Sequence, residues 1–189
     1  MNIPRDGVPA LPPTSAARSL KAALQDELRE LGSYARIGAV LDAFLPMALA
    51  NETAGWFEVL GREWTGFDNV GSNTQELADI FEQVEWPVMQ MMTDAEREMY
   101  LALPDVVTVY RGCGKNNKYG LSWTLDEQVA RTFPNMPRYW QKTPMLYTAI
   151  VNKSSIIAVK LDRDEGEIIT LAPKFTHARR LSRVKASQL

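Results

Sequence analysis

The chain changes its patterning at Asp105, and that change constrains the fold more than any single motif. Before it, apolar residues recur at spacings of three and four; after it, they fall into short β-branched runs separated by turns. Leu20, Ala23, Leu24, Leu28 and Leu31, with Gly32 as a stop signal, mark one amphipathic helix starting near Ser15. Ile37, Val40, Leu41, Phe44 and Leu45 mark a second, running to about Ala50. The stretch 55–71 holds Trp56, Phe57, Trp64 and Phe67 and is broken by Gly61 and Gly66, so it reads as a helix and then a loop. Its aromatics read first as core anchors and second as platforms for a base or a nicotinamide ring. Thr74 is placed to cap a helix through Leu77, Ile80, Phe81 and Val84 that Pro87 ends or bends. Thr93-Asp94-Ala95-Glu96 is a capping-box pattern, opening a further helix to about Leu103. Met89, Met91, Met92 and Met99 read as flexible core filler.

After Asp105 the apolar runs are Val106, Val107 and Val109, then Leu146 to Val151, then Ile156 to Leu161, then Ile168 to Leu171. One helix interrupts them at roughly Asp126 to Phe133, with Thr124 or Asp126 as its cap. The expected fold class is therefore α+β: an extended, proline-rich arm over 1–14, a helical part over 15–104 and a β-rich core over 105–189, packed as one unit.

With 46% hydrophobic and 23% charged residues, the 189-residue chain supplies a real core and is not disordered. Cys113 and His177 are the only residues of their kinds, which excludes a disulfide framework, a cysteine-based zinc site and a His-rich metal centre. Cys113 reads as a small buried residue and His177 as a surface one. No stretch approaches a membrane span, and Met1 to Asp6 lead into no apolar signal segment, so the expectation is a cytoplasmic protein with no membrane partner. Acids dominate from Asn51 to Tyr100 against Arg62 and Arg97 alone, whereas Leu171 to Leu189 carries Lys174, Arg179, Arg180, Arg183 and Lys185 and no acid. That balance does not indicate a nucleic-acid-binding surface, and the basic stretch reads as a solvated tail. The glycine-loop fingerprints of kinases and P-loop enzymes are absent.

Three motifs carry chemistry. Tyr110-Arg111-Gly112 closes the first β-type run, Gly120-Leu121-Ser122-Trp123-Thr124 follows a loop later, and Glu165-Gly166-Glu167 precedes Ile168. An arginine at a strand edge among glycines can reach an anion while the backbone lets it approach. Singly, each motif has a plainer reading: Arg111 as half of an ion pair, Ser122 and Thr124 as strand residues, and Glu165 and Glu167 as a solvated face, since acids two apart on a strand point the same way.

Jointly and in this order, Arg111, then Ser122-Trp123-Thr124, then Glu165-Gly166-Glu167 resemble the arginine-type class of mono-ADP-ribosyltransferases, over about residues 105–175. The resemblance implies split sheets forming a cleft for NAD, used as a substrate with no metal. It implies that Glu167 stabilises the positive ribose carbon formed when the nicotinamide bond breaks, that Ser122 orients Glu167 or the ribose, and that Arg111 holds NAD with Gly112, Trp123 and Thr124 around it. Glu165 at the first position implies transfer to a protein arginine. The loop from Pro134 to Trp140 lies where the family covers the dinucleotide, so Arg138 is expected at a phosphate and Tyr139 or Trp140 at the ring. Phe133 has the plainer reading of a core anchor. Small members of this family resemble bacterial or phage effectors, implying a toxin or an anti-defence role against a protein target. Two departures from the common pattern are the bulky Trp123 and the short, charged Asp162-Arg163-Asp164 before Glu165. Two other outcomes stay open: an NAD glycohydrolase, with water as acceptor, and a silent binding module on the same scaffold.

Overall fold

A computed structural model describes residues 19–68, 70–83, 88–162, 165–171 and 173–182. Its first helix, α1 (Leu20–Glu30), opens where Ser19 accepts a hydrogen bond from the Ala22 N–H, and it buries Leu24 and Leu28 one turn apart. The expected second helix is two. It starts earlier, as α2 (Ser33–Asp42), and breaks at Ala43 before resuming as α3 (Phe44–Leu49). Pro46 explains the break: it has no N–H for the Asp42 carbonyl, and its ring crowds that carbonyl.

Next come α4 (Thr53–Glu63), a 3-10 turn over Trp64–Gly66, α5 (Thr74–Gln83) and α6 (Asp94–Ala102). Thr93 and Glu96 form both bonds of the expected capping box. Thr74 is the first residue of α5 rather than the residue before it, and its hydroxyl donates back to the carbonyls of Val70 and Gly71. The expected end of α5 at Val84 to Pro87 lies outside the described residues.

The strands follow as β1 (Val106–Cys113), β2 (Ser122–Thr124), β3 (Met145–Asn152), β4 (Ile156–Lys160), β5 (Glu167–Thr170) and β6 (Lys174–Arg180), with α7 (Glu127–Thr132) between β2 and β3. Together with the six preceding helices they make the α+β fold expected from the sequence. Hydrogen bonds link the strands into one antiparallel sheet in the order β4-β5-β2-β1-β3-β6. Split sheets were the expectation, and the hydrogen bonding nearly divides: β1 pairs with β3 along eight residues but with β2 only at Tyr110 and Thr124. Past that point β1 continues with β3 while β2 leaves with β5. The sheet is pinned at one residue pair and open beside it, next to Arg111 and Ser122.

Helices and sheet share one apolar core, running from Leu24 through Trp56, Phe57 and Phe81 to Val159 and Ile168. At its edge Lys160 of β4 and Glu96 of α6 form a buried ion pair at 2.9 Å, each side chain 3% exposed. β6 departs from the sequence reading, which leaves Lys174 to Arg180 in a solvated basic tail. All seven of its side chains are exposed, His177 among them, so no apolar alternation announces it. Backbone bonds to β3 define it as an edge strand, and its lysine and arginines are the residues that protect such an edge from further pairing.

Candidate functional site

The parting of β1 and β2 opens into a cleft of about 520 Å³, within the size range of small-molecule sites. Its walls come from both halves of the chain. Tyr110 to Cys113, Ser122 to Thr124, Glu165 and Glu167 form the sheet side, and Trp64, Phe67 and Asp68 close it from the helical side.

Arg111 sits where the strands separate. Its Nε donates to the Asn117 carbonyl at 3.0 Å and its Nη1 to the Ser122 carbonyl, so the guanidinium bridges the loop and β2. A Cβ on Gly120 would stand 2.1 Å from Arg111 Nη2, which makes glycine a condition of this placement. Burial presses the guanidinium's pKa down; the Cys113 thiol and the Glu167 carboxylate counter it. Arg111 is therefore partly spent on backbone carbonyls, and the rest of its fork is what it can offer a ligand. Cys113 is buried as expected, and burial pushes its thiol pKa up.

Glu167 opens β5, paired with Thr124 on one side and Lys160 on the other. The Trp64 indole donates to Glu167 Oε1 at 3.0 Å, and the Ser122 side chain lies near enough to the same carboxylate to favour its charged form. Burial pushes the Glu167 pKa above the usual carboxylate value, while these two side chains and the charges of Arg111 and Lys160 pull against that rise. Arg111, Ser122 and Glu167, far apart in sequence, thus meet in one place.

Glu165 and Glu167 do not share a strand face. β5 starts at Glu167, and Gly166 between them is left-handed, φ 51°, a conformation open to glycine. Thr124 ties that turn down: its hydroxyl donates to the Glu165 carbonyl and accepts the Asp126 N–H at 3.0 Å. Asp126 in turn caps α7 through the N–H groups of Gln128 and Val129. Thr124 is thus a clamp between β2, α7 and the Glu-Gly-Glu turn. Half-buried Glu165 faces both the cleft and a shallower groove lined by Tyr110, Leu125, Asp126 and Glu127.

Three residues expected at the cofactor have packing or pairing roles. Trp123 is buried; its indole donates to the Gly120 carbonyl at 3.1 Å and its ring meets Phe175 edge-on at 5.6 Å, so its bulk supports the sheet. Gly112 borders the cleft, but a Cβ there would lie 1.6 Å from the Ala130 carbonyl oxygen, so its missing side chain lets α7 lie on β1. Arg138 lines the cleft with its guanidinium in an ion pair with Asp68 of the helical half and over the Tyr139 ring at 5.3 Å. Tyr139 lines the cleft and packs on Phe133, which also lines it rather than anchoring the core; Trp140 is exposed.

The residue the sequence reading missed in this role is Trp64. Its 3% exposure fits the core reading, but its N–H reaches the central carboxylate. The available signal was chemical: a buried tryptophan needs an acceptor for its N–H.

Among the described residues, no group of three or more His, Cys, Asp or Glu side chains is placed to hold a metal ion, and no helix is long and apolar enough to cross a membrane. Compared with protein-family models, curated proteins and solved structures, the chain matches none.

Proposed function

We propose that the protein is an NAD-dependent mono-ADP-ribosyltransferase that modifies a protein arginine, acting as an effector against a cellular target. The observation that carries this reading is the meeting of Glu167, Ser122 and Arg111 in one cleft of suitable size. NAD enters with its nicotinamide ribose against Glu167 and its phosphates toward the free side of Arg111. The bond between the ribose C1′ and the nicotinamide nitrogen breaks, its electron pair leaves with neutral nicotinamide, and positive charge develops on the ribose. A fixed carboxylate in a half-buried site stabilises that charge more than water does. The acceptor guanidinium attacks C1′ and loses a proton, which Glu165 takes. The groove beside Glu165, with Tyr110 and Leu125 for an aliphatic stem and Asp126 nearby, suits an arginine as acceptor.

The test is incubation of the purified protein with labelled NAD and a cell lysate, alongside a Glu167→Ala variant verified as folded. A labelled protein band, absent from the variant, is the expected result, and its release by hydrolysis specific for ADP-ribosyl-arginine identifies the acceptor. Free nicotinamide with no band would replace transfer by hydrolysis; the absence of both signals would overturn the enzymatic reading.

A further inference from the structure

Trp64 lies outside the three motifs and in the helical part, yet it touches the group on which the proposed chemistry depends. We propose that Trp64 is a positioning residue of the site, its indole N–H holding the Glu167 carboxylate in the cleft so that the helical half completes the catalytic centre. The inference rests on the transferase reading only for its kinetic consequences.

The geometry supports it in three ways. The indole Nε1 lies 3.0 Å from Glu167 Oε1, a normal distance for a charge-assisted bond. The ring cannot easily turn away: it is 3% exposed and packs edge-on against Phe67 at 6.4 Å, in the turn that follows α4. Ser122, on β2, also favours the charged form of the carboxylate, so Trp64 is the contact the helical half supplies. Pairing to Thr124 and Lys160 fixes the Glu167 backbone, and the Trp64 N–H fixes where the end of its side chain lies. Since a hydrogen bond from a neutral N–H favours the charged form, Trp64 also opposes the burial that disfavours the carboxylate.

Trp64→Phe keeps an aromatic ring, deletes the donor and leaves a smaller side chain, so its folding is verified first. In this variant the Glu167 carboxyl carbon, followed by NMR in selectively labelled protein, is expected to titrate at higher pH than in the parent. If NAD is cleaved, kcat falls about tenfold, the scale of one charge-assisted hydrogen bond, with KM for NAD nearly unchanged and the acid limb of the pH profile moved upward. An unmoved Glu167 titration in a folded Trp64→Phe protein overturns the proposal whether or not NAD is a substrate. A second measurement needs no change at Trp64. In the unsubstituted protein the indole N–H resonance of Trp64 is expected to shift as Glu167 titrates and to lose that response in Glu167→Ala. An indole signal indifferent to both overturns the proposal as well. Absence of NAD turnover with both NMR responses present would remove the transferase reading and leave the Trp64 contact standing.

Discussion

Gly120 and Arg111 are fitted to each other: the space a Cβ would fill at Gly120 is taken by the Arg111 guanidinium, 2.1 Å from where that carbon would stand. The atom displaced by a larger residue is the far end of a flexible side chain, so Gly120→Ala moves Arg111 without dismantling the sheet. We expect Gly120→Ala to fold, to change stability by about 1 kcal/mol or less, and to weaken NAD binding in the same direction as Arg111→Ala. Gly112→Ala is the contrast, because its Cβ would meet the backbone oxygen of Ala130 at 1.6 Å and force α7 off β1. Thermal melts and calorimetric titration with NAD separate the two: a binding defect for Gly120→Ala, a folding defect for Gly112→Ala.

Burial holds the Glu167 pKa above its ordinary value, so the folded state favours the protonated form. The charged carboxylate therefore costs stability at neutral pH, and that cost disappears as pH falls below the ordinary carboxylate value, where both states are protonated. Glu167→Gln is expected to raise Tm at pH 7 by roughly 2–4 °C, the response to about 1 kcal/mol in a chain of this size, with the gain shrinking toward pH 4. A Tm unchanged or lowered at pH 7 would contradict this.

The buried Glu96–Lys160 pair has the opposite sign. Burial alone would raise the Glu96 pKa, but hydrogen bonds from Lys160 and from the Thr93 and Leu161 N–H groups outweigh it and hold the carboxyl below its ordinary value. Its stabilisation is present above the ordinary carboxylate pKa and is lost as pH falls through the lowered one. Glu96→Ala removes one partner, leaves Lys160 buried and breaks the α6 capping box; we expect it to cost about 3–5 kcal/mol at pH 7 in denaturant melts, and less as the pH is lowered.

Arg138 is engaged by Asp68 where the sequence expected a phosphate. If NAD phosphate takes over that guanidinium, Asp68 competes with the ligand. Asp68→Ala then lowers the KM for NAD a few-fold, whereas Arg138→Ala raises it by roughly tenfold. A KM unchanged in Arg138→Ala would take Arg138 out of the phosphate role and leave it as a link between the helical half and the loop.

How much of this was legible in the sequence follows from the kind of signal each element carries. Burial periodicity announced α1 and strands β1, β3, β4 and β5, because each sends apolar side chains into the core, whereas α6 was announced by its polar capping box. β6 sends none, and only its partner strand defines it. Pro46 was a visible breaker inside the expected helix of Ile37 to Ala50, where apolar spacing alone reads straight through Ala43. The motif order placed Arg111, Ser122 and Glu167 together, as the cleft has them. It did not reveal that Trp123 faces the core, that Gly112 serves α7, or that Trp64 reaches Glu167 from a hundred residues away. Those depend on which face and which neighbour a side chain meets, and a linear spacing does not encode that.

The most direct test of the central claim is nicotinamide released from NAD by the purified protein, with and without cell lysate, beside Glu167→Gln. The account predicts release by the unsubstituted protein and a loss of about 10²–10³ in the folded variant, the scale of removing a preorganised electrostatic group. No release under either condition, or release by Glu167→Gln at the parent rate, would contradict it.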